Sequence, residues 1–452
     1  MRKVVLLGLL IFSICQLTVV QATKAQQTES IPLMGNRFLT FNTVIRVNQI
    51  EAGRNKSIGQ DESALHTPDR VKAFREAIEA GFPGAHITWA FSWLALNDTS
   101  VNYSKIRRIV TGYHYKYGDE VTFIPGAYFA NAYNSTQQVN KDIHDGLALV
   151  EKMVGNNYRP QSLVAGFLSA KNQQYLVEKE GIHVCQGNIW SQYAIDNQDG
   201  DGSVCYPYYP STEHFCKPAQ GKADFIDCVN LDGWTMDFLA ARRAGFVQGF
   251  NSRMGVGPIE TLGEFGLAVG LNEMMHTTAI HFDKGFDLNG FAWVTNCWEL
   301  SLPYNVDYLT TWLQHIKSRW PNVRFITQGE FGLIWRKHYK QNTFNYKFVE
   351  RGSGIGGSDS DKQISWFMNK QFRLALLSDM NGKDQKVIDF TSYQNKAKEP
   401  VSGSTRNWSL MGEINQKGLR PQDKPRPLAT MSNEDRALIK TVYPELFKGK
   451  RQ

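Results

Sequence analysis

Apolar residues recur along this chain at two spacings, every second position over short runs and every third or fourth over longer ones. The two kinds of run take turns from residue 37 to about residue 340. Residues 37–51, rich in Phe, Val, Ile and Thr, predict a first strand. Thr67-Pro68 offers an N-cap and then a proline at the first helical position, so a helix is expected from there to about Ala80, ended by Gly81-Phe82-Pro83-Gly84. Residues 85–96 predict a second strand, 103–117 a helix, 120–130 a third strand, and 136–154 a long helix with Leu147, Val150 and Val154 on one face. Residues 162–169 predict a strand, 172–180 a helix and 181–190 a fifth strand. Residues 191–234 break the rhythm as a long insertion, the kind of segment that covers or shapes a site. Residues 240–254 and 260–279 then read as helices.

Strands and helices in strict alternation predict a parallel sheet wound by helices. At 452 residues the chain has room for one barrel of roughly 250–300 residues and a smaller appendage. The expected class is therefore α/β, an irregular parallel (β/α) barrel of seven or eight strands over residues 37–340. No Gly-x-Gly-x-x-Gly opens the first helix, which weakens a nucleotide-binding open sheet. After about Lys340 the pattern changes to a glycine-rich stretch at 352–357 and extended segments over 364–391 with a turn at Asn381-Gly382. Residues 341–452 are thus expected to form a small β-rich domain that ends in a short helix at 433–441.

Two neighbouring predicted strands each end in a glutamate. Residues 291–299 run Phe-Ala-Trp-Val-Thr-Asn-Cys-Trp to Glu299, and residues 323–330 run Val-Arg-Phe-Ile-Thr-Gln-Gly to Glu330. Between them, residues 308–320 carry apolar positions at helical spacing, so the two strands should be parallel. Parallel strands ending in polar residues place those residues at one rim, where barrel enzymes keep their chemistry. Two carboxylates among tryptophans suit a sugar cleft, since sugars stack on aromatic faces and acetal cleavage needs an acid and a base or nucleophile. Glu299 and Glu330 are the leading catalytic candidates, with Glu51 and Asp196 as further ones. Trp89, Trp93, Tyr128, Trp190, Trp234, Trp293 and Trp298 are candidate stacking residues, Trp89 and Trp93 because they lie four apart on one predicted strand face.

Composition adds to this picture. The chain is 42% hydrophobic and 12% aromatic, enough for a large core with rings left over for a binding surface. Arg2 and Lys3, the apolar run 4–20, and the small residues Ala22 and Ala25 predict a cleaved secretion signal over residues 1–25. That run is short and carries Gln16 and Thr18, so no membrane anchor is expected. Ile14 stands before Cys15 where lipidation would want a small residue. Cleavage lowers the net charge from +7 to +4, with 47 basic residues against 43 acidic. The basic residues are scattered, with no stripe that would follow nucleic acid. Export permits disulfides, and one or two among Cys185, Cys205, Cys216 and Cys228 would brace the insertion, with pairing left open.

Two segments offer metal-ligand patterns. Glu273 and His276 share a helical face, and His281 and Asp283 would point the same way on an extended segment, but the pattern is not His-Glu-x-x-His. Asn197, Asp199 and Asp201 before Gly202 resemble a calcium loop, yet Tyr208 stands where its bidentate glutamate should be. A divalent metal and a structural calcium are therefore candidate cofactors. No Gly-x-Ser-x-Gly elbow is present, which disfavours a serine esterase.

Several short segments in order resemble the polysaccharide deacetylase group of glycoside hydrolase/deacetylase barrels. Tyr117-Gly118-Asp119-Glu120-Val121 is similar to the Gly-x-Glu-Val/Ile segment leading into their third strand. Asp142 to Gly155 is similar to their next helix, Tyr158-Arg159-Pro160 to the Arg-Pro before the following strand, and Trp190 with Asp196 to their Trp…Asp turn. The whole chain is similar to exported bacterial proteins of unknown function that carry this barrel and a β domain. The resemblance implies a polysaccharide or oligosaccharide partner. It also implies a metal held by an aspartate pair after strand one and a His-x-x-x-His on the next rim segment. Here the first strand ends Val47-Asn48-Gln49-Ile50-Glu51 and the third continues Pro125 to Asn131 with no histidine, so those ligands do not carry over. The expectation is an exported hydrolase acting on a glycosidic bond or an acyl group of a polysaccharide. Its rivals are an inactive barrel that binds carbohydrate and a metal enzyme built on Glu273, His276, His281 and Asp283.

Overall fold

A computed structural model describes residues 31–54, 56–187, 201–233, 238–239, 258–302, 305–353, 360–404, 408–410, 414 and 424–447. Its centre is β1 (Arg37–Ile45), buried on both faces from Phe38 onward, as a parallel strand covered by helices must be. The hairpin of β2 (Asn48–Gly53) and β3 (Lys56–Asp61) follows it. Next come α1 (Pro68–Gly81), β4 (Thr88–Phe91), α2 (Trp93–Asn97), α3 (Val101–Tyr117), β5 (Glu120–Phe123), α4 (Thr136–Val154), β6 (Leu163–Val164), α5 (Ala170–Glu180) and β7 (Val184–Gln186). The insertion carries β8 (Pro210–Ser211), β9 (His214–Pro218) and β10 (Val229–Asn230). Then follow α6 (Pro258–Ala279), β11 (Ala292–Glu299), α7 (Val306–Arg319), β12 (Val323–Phe325) and α8 (Gln328–His338).

The fold is mixed α/β with parallel sheets. One sheet runs β11–β1–β4–β5, with β12 paired to the lower half of β1, and a second runs β10–β7–β6. The described residues therefore draw two sheets where one ladder was expected, because β6, β7 and β10 are only two or three residues long. Interior side chains from both sheets meet: Asn42 on β1 donates to Gln186 on β7 at 2.6 Å. Helix α8 seals the interior from below, with Phe331 stacked on Trp293 at 4.9 Å and set against Phe38 at 5.2 Å. Gly332 lies so close to Val184 that no side chain would fit between them.

Beyond α8, an antiparallel sheet is built from β13 (Asn345–Arg351), β14 (Lys362–Asn369), β15 (Phe372–Asp379), β16 (Lys386–Ser392) and the short β17 (Arg426–Pro427). Gly382, with φ of 69°, makes the β15–β16 turn. One face of this sheet joins the main core through Tyr346, Phe348, Ile364 and Trp366, and the other packs Phe372, Leu374 and Phe390 against α9 (Asn433–Val442).

Two expectations about local structure change. Residues 280–285 continue α6 as a π-helical turn, so His281-Phe282-Asp283 is not extended. The five cysteines Cys185, Cys205, Cys216, Cys228 and Cys297 are all described and buried, and none is in a disulfide. Buried thiols of this kind act as small apolar side chains.

Candidate functional site

Residue Arg46 follows the last apolar position of β1 and carries a charge into the C-terminal end of the sheet. It is 3% exposed. A buried guanidinium needs counter-charge and hydrogen-bond acceptors. Arg46 Nε donates to Glu62 Oε2 at 2.6 Å, and Nη2 donates to Glu62 Oε1 at 2.8 Å and to Glu299 Oε2 at 2.9 Å. Glu299 reaches it because the register pairs Val44 with Glu299 at the end of β11. Its side chain keeps a third of its surface open to solvent. His66 Nε2 lies 3.4 Å from Glu62 Oε2, and the Tyr103 hydroxyl donates to the Arg46 carbonyl at 2.7 Å.

Burial lowers the Arg46 pKa, but Glu299 and Glu62 outweigh it and hold the group above its ordinary value. Burial also opposes ionisation of Glu62; hydrogen bonds from His66 and Arg46 prevail and bring its pKa from 4.5 to about 2. A depressed pKa gives stability that is fully present above about pH 4.5 and lost as pH falls toward about 2. The denaturation midpoint of wild type should exceed that of Glu62→Gln most above pH 4.5, and the gap should close between there and pH 2. A gap independent of pH would mean that Glu62 is not the titrating group.

The wall opposite Glu299 is Tyr128, after β5. Gly126, Ala127 and Tyr128 all have positive φ (64°, 44° and 97°). For the two non-glycine residues this is a sparsely populated conformation, of the sort that persists where the surroundings demand it. The Tyr128 carbonyl accepts from the Gly166 and Phe167 amides, which pins the turn. The ring then lies under Arg46, 5.5 Å from guanidinium carbon to centroid, with its hydroxyl 3.1 Å from Cys297 Sγ. Burial first, then the Cys297 and Glu299 charges, raise the tyrosine pKa well above its usual value, so the hydroxyl keeps its proton. Cys297, Thr295 and Glu299 share one face of β11. Below them Thr295 Oγ1 and Asn42 Oδ1 are buried without a protein hydrogen-bond partner, which makes the floor polar.

The other sequence candidates fare differently. Glu330 is not on a strand: β12 stops at Phe325 and Glu330 sits at the third position of α8, where it closes a capping box with Thr327. Its carboxylate lies 3.4 Å from His86 Nδ1. Thr88 is level with Asn42, so His86 is level with Thr40, four residues below Val44 and Glu299, roughly 13 Å along the strand. Glu299 and Glu330 therefore do not form a pair. Glu51 is at the rim but is spent on structure: it accepts from Ser92 Oγ at 2.6 Å and the Leu94 amide at 3.1 Å, capping α2. Burial raises its pKa.

Three of the tryptophans are core. Trp89 is buried between Phe74 and Tyr113 and donates to Asp119; Trp298 stacks on Phe74; Trp293 stacks on Phe331 and donates to Thr40. Strand β4 ends at Phe91, so Trp93 opens α2 instead of sharing a strand face with Trp89. It is half-buried, with the Arg54 guanidinium 3.8 Å above its ring. Asp196, Trp190 and Trp234, with Asn197 and Asp199, lie outside the described residues. Asp201 is buried and accepts from Ser409.

The proposed metal quartet does not converge. His276 bonds the Arg351 carbonyl, His281 stacks on Tyr206, Asp283 takes Arg319 and the Trp320 indole, and Glu273 is buried within α6. The divalent metal implied by the deacetylase resemblance does not fit the Arg46 cluster either, since the guanidinium already fills both Glu62 oxygens and one of Glu299. Among the described residues no three His, Cys, Asp or Glu are placed to hold a metal. Sequence reasoning missed Arg46, Glu62 and His66. One signal was available: a lone charge directly after a nine-residue strand that is otherwise apolar over its last positions.

Residues 31–368 match the model of a family described as a domain of unknown function with a solved structure (DUF3863), and residues 373–446 match a second described in the same terms (DUF3864). The chain is similar to a crystal structure from Parabacteroides distasonis described as a "putative glycoside hydrolase/deacetylase", with 50% identity over 92% of this chain and 100% of that one and a TM-score of 0.86. A "probable polysaccharide deacetylase" of Pseudomonas aeruginosa PAO1 is 14% identical over 67% of this chain and 92% of its own, at a TM-score of 0.41, a likeness that carries no weight for fold or chemistry. No curated protein matches the chain.

Proposed function

The chain belongs to the DUF3863 family and to one family with its half-identical Parabacteroides distasonis relative, and from that membership and the rim geometry we propose that it is a carbohydrate-active hydrolase whose reacting carboxylate is Glu299. The relative's description supplies the substrate class. The two parallel sheets are read as the walls of one irregular barrel, joined through Asn42 and Gln186. Residues 1–25 are read as an export signal, which would bring the protein to extracellular or periplasmic polysaccharide. No described helix is long and apolar enough to cross a membrane.

One observation carries the reading. Glu299 stands at the C-terminal end of a parallel strand, the end where such sheets bind ligands, with Oε2 fixed by Arg46 and its outer surface toward solvent. A carboxylate so oriented can take a proton from water as it attacks the substrate. Glycosidic cleavage uses two carboxylates about 5–9.5 Å apart. Glu62 and Glu51 are both engaged internally, so the described rim favours removal of an acyl group, a task for one base and one water. The same fixed ion pair also suits a barrel that holds a sugar hydroxyl without cleaving anything.

Activity on acetylated and plain polysaccharides decides among these, with acetate and reducing ends both followed. Glu299→Gln should lose at least about 10²-fold in turnover with an unchanged denaturation midpoint, because Arg46 keeps Glu62 as partner. Full activity in that variant would end the assignment. A silent wild type that still binds glycan would establish the binding reading.

A further inference from the structure

We propose that a cleft between the insertion and the antiparallel sheet is a second carbohydrate site, one that holds a sugar carrying a carboxylate or sulfate group. Three segments distant in sequence meet there: Ala219 to Lys222 with Phe225 in the insertion, Lys340 to Asn342 after α8, and Lys370 in the turn between β14 and β15. The cleft has a volume of about 330 Å³, at the small end of the range for ligand pockets. It shares no residue with the rim around Glu299. Its walls are braced. Asn342 is buried; its amide nitrogen donates to the Tyr209 and Ala219 carbonyls at 2.8 and 3.1 Å, and its oxygen accepts from the Tyr209 amide at 2.8 Å. Gln220 Nε2 donates to the Lys370 carbonyl at 2.5 Å, and Lys370 Nζ donates back to the Gln220 carbonyl at 3.2 Å. A cleft fixed in this way asks little ordering of its own side of a ligand.

The lining selects an anion attached to a ring. Lys222, Lys340 and Lys370 bring three ammonium groups, and no carboxylate is among the lining residues. The neighbouring Asp224 is turned away to the backbone amides of Gln220 and Gly221. Lys222 and Lys340 are exposed, and neither has a carboxylate partner among the described residues. Lys370 is half-buried and gives one of its three N–H donors to Gln220, which leaves two for a ligand. Three like charges facing one cleft are brought together most favourably by an anion between them. The other lining groups add the sugar. Phe225 is half-buried, with its ring 4.7 Å from that of Tyr209, and the rest of it faces the cleft as a surface for the C–H face of a sugar. The Gln341 amide can exchange hydrogen bonds with ring hydroxyls. Such a site would keep an acidic polysaccharide on the protein while the rim acts on another part of the same chain. That use rests on the reading of the rim as a hydrolase; the binding itself does not.

The test reads binding on the full chain at low salt. The probes are polygalacturonate with its carboxyl-reduced form, and dextran sulfate with dextran. Wild type should bind at least one of the two anionic glycans, and neither neutral one; which anion it holds decides between carboxylate and sulfate. Lys222→Gln/Lys340→Gln/Lys370→Gln should weaken that binding roughly tenfold, the combined worth of three solvent-facing charge contacts. Because Lys370 also braces the turn, Lys222→Gln/Lys340→Gln is measured beside it and should lose part of the affinity. Lys105→Gln/Lys116→Gln/Lys179→Gln removes the same charge from exposed lysines elsewhere and should leave the affinity nearly unchanged. Equal weakening by the two triple variants would mean attraction to net charge alone and would overturn the site. Failure of wild type to bind either anionic glycan, or undiminished binding in both cleft variants, would overturn it too. Glu299→Gln should keep full binding, so a failed hydrolase assignment leaves the cleft standing, and a failed cleft leaves Glu299 untouched.

Discussion

Replacing Arg46 by methionine is expected to cost about 3–5 kcal/mol of folding stability at neutral pH, the usual effect of stranding one partner of a buried ion pair. Methionine fills much of the same volume, so the loss is electrostatic in origin. It leaves the Glu62 carboxylate, whose side chain is 6% exposed, beside an imidazole that burial keeps neutral. Against a total stability of about 5–15 kcal/mol this brings the chain near its unfolding threshold. Urea denaturation of wild type, Arg46→Met and Arg46→Met/Glu62→Gln would resolve the cause. The double variant should recover part of the loss, because the stranded charge is gone. A loss under about 1 kcal/mol in the single variant would show that water reaches Glu62 in the folded chain.

The second large effect lies in the antiparallel sheet. Arg373 and Asp389 sit on the paired strands β15 and β16, both side chains fully buried, with Nε 2.5 Å from Oδ2. The Arg373 Nη1 also donates to the Ser203 carbonyl at 2.8 Å, so this guanidinium ties the sheet to the insertion. Burial would lower its pKa, but the Asp389 charge outweighs that and holds it up. Asp389→Asn keeps the size of the side chain and removes the counter-charge, and a cost of about 3–5 kcal/mol is expected. Arg373→Met/Asp389→Leu should cost clearly less than Asp389→Asn, since a buried pair removed together can be replaced by packing. If the double variant is the worse of the two, the link to Ser203 rather than the ion pair is what matters.

Helix boundaries were the most legible feature of the chain, because a cap is a local hydrogen bond. Thr67-Pro68 opens α1, and the helices at 136–154 and 433–442 start where their caps Ser135 and Ser432 place them. The strand ends were less legible. The predicted strands at 85–96, 120–130 and 162–169 hold four, four and two strand residues. Rim segments continue the apolar pattern of a strand while turning away from the sheet. Glu330 shows two local signals in conflict. Residues 323–330 read as a strand by composition, yet Thr327 and Glu330 spell a capping box, and the helix formed.

By itself the sequence determined most of the long helices, the parallel strands around β1, the antiparallel C-terminal sheet and the arrival of Glu299 at a strand end, since these follow from periodicity and capping within short windows. The β2–β3 hairpin and the helix opened by Trp93 broke strands expected over 37–51 and 85–96, and the helix expected at 240–254 lies outside the described residues. Which ring faced the core was decided by tertiary structure. Both faces of β11 are buried over almost its whole length, so the alternation of Trp293 and Trp298 names two faces without saying what covers each. The composition of the site was likewise settled only in three dimensions. Arg46 and Glu62 are 16 residues apart, and Arg46 and Glu299 are 253 apart. Their meeting depends on the register of β1 against β11 and on the hairpin that returns Glu62 to the rim. A long-range register leaves no mark in any window of sequence. It is set by which buried faces pack together, and the same packing put Glu299 with a cation rather than with Glu330.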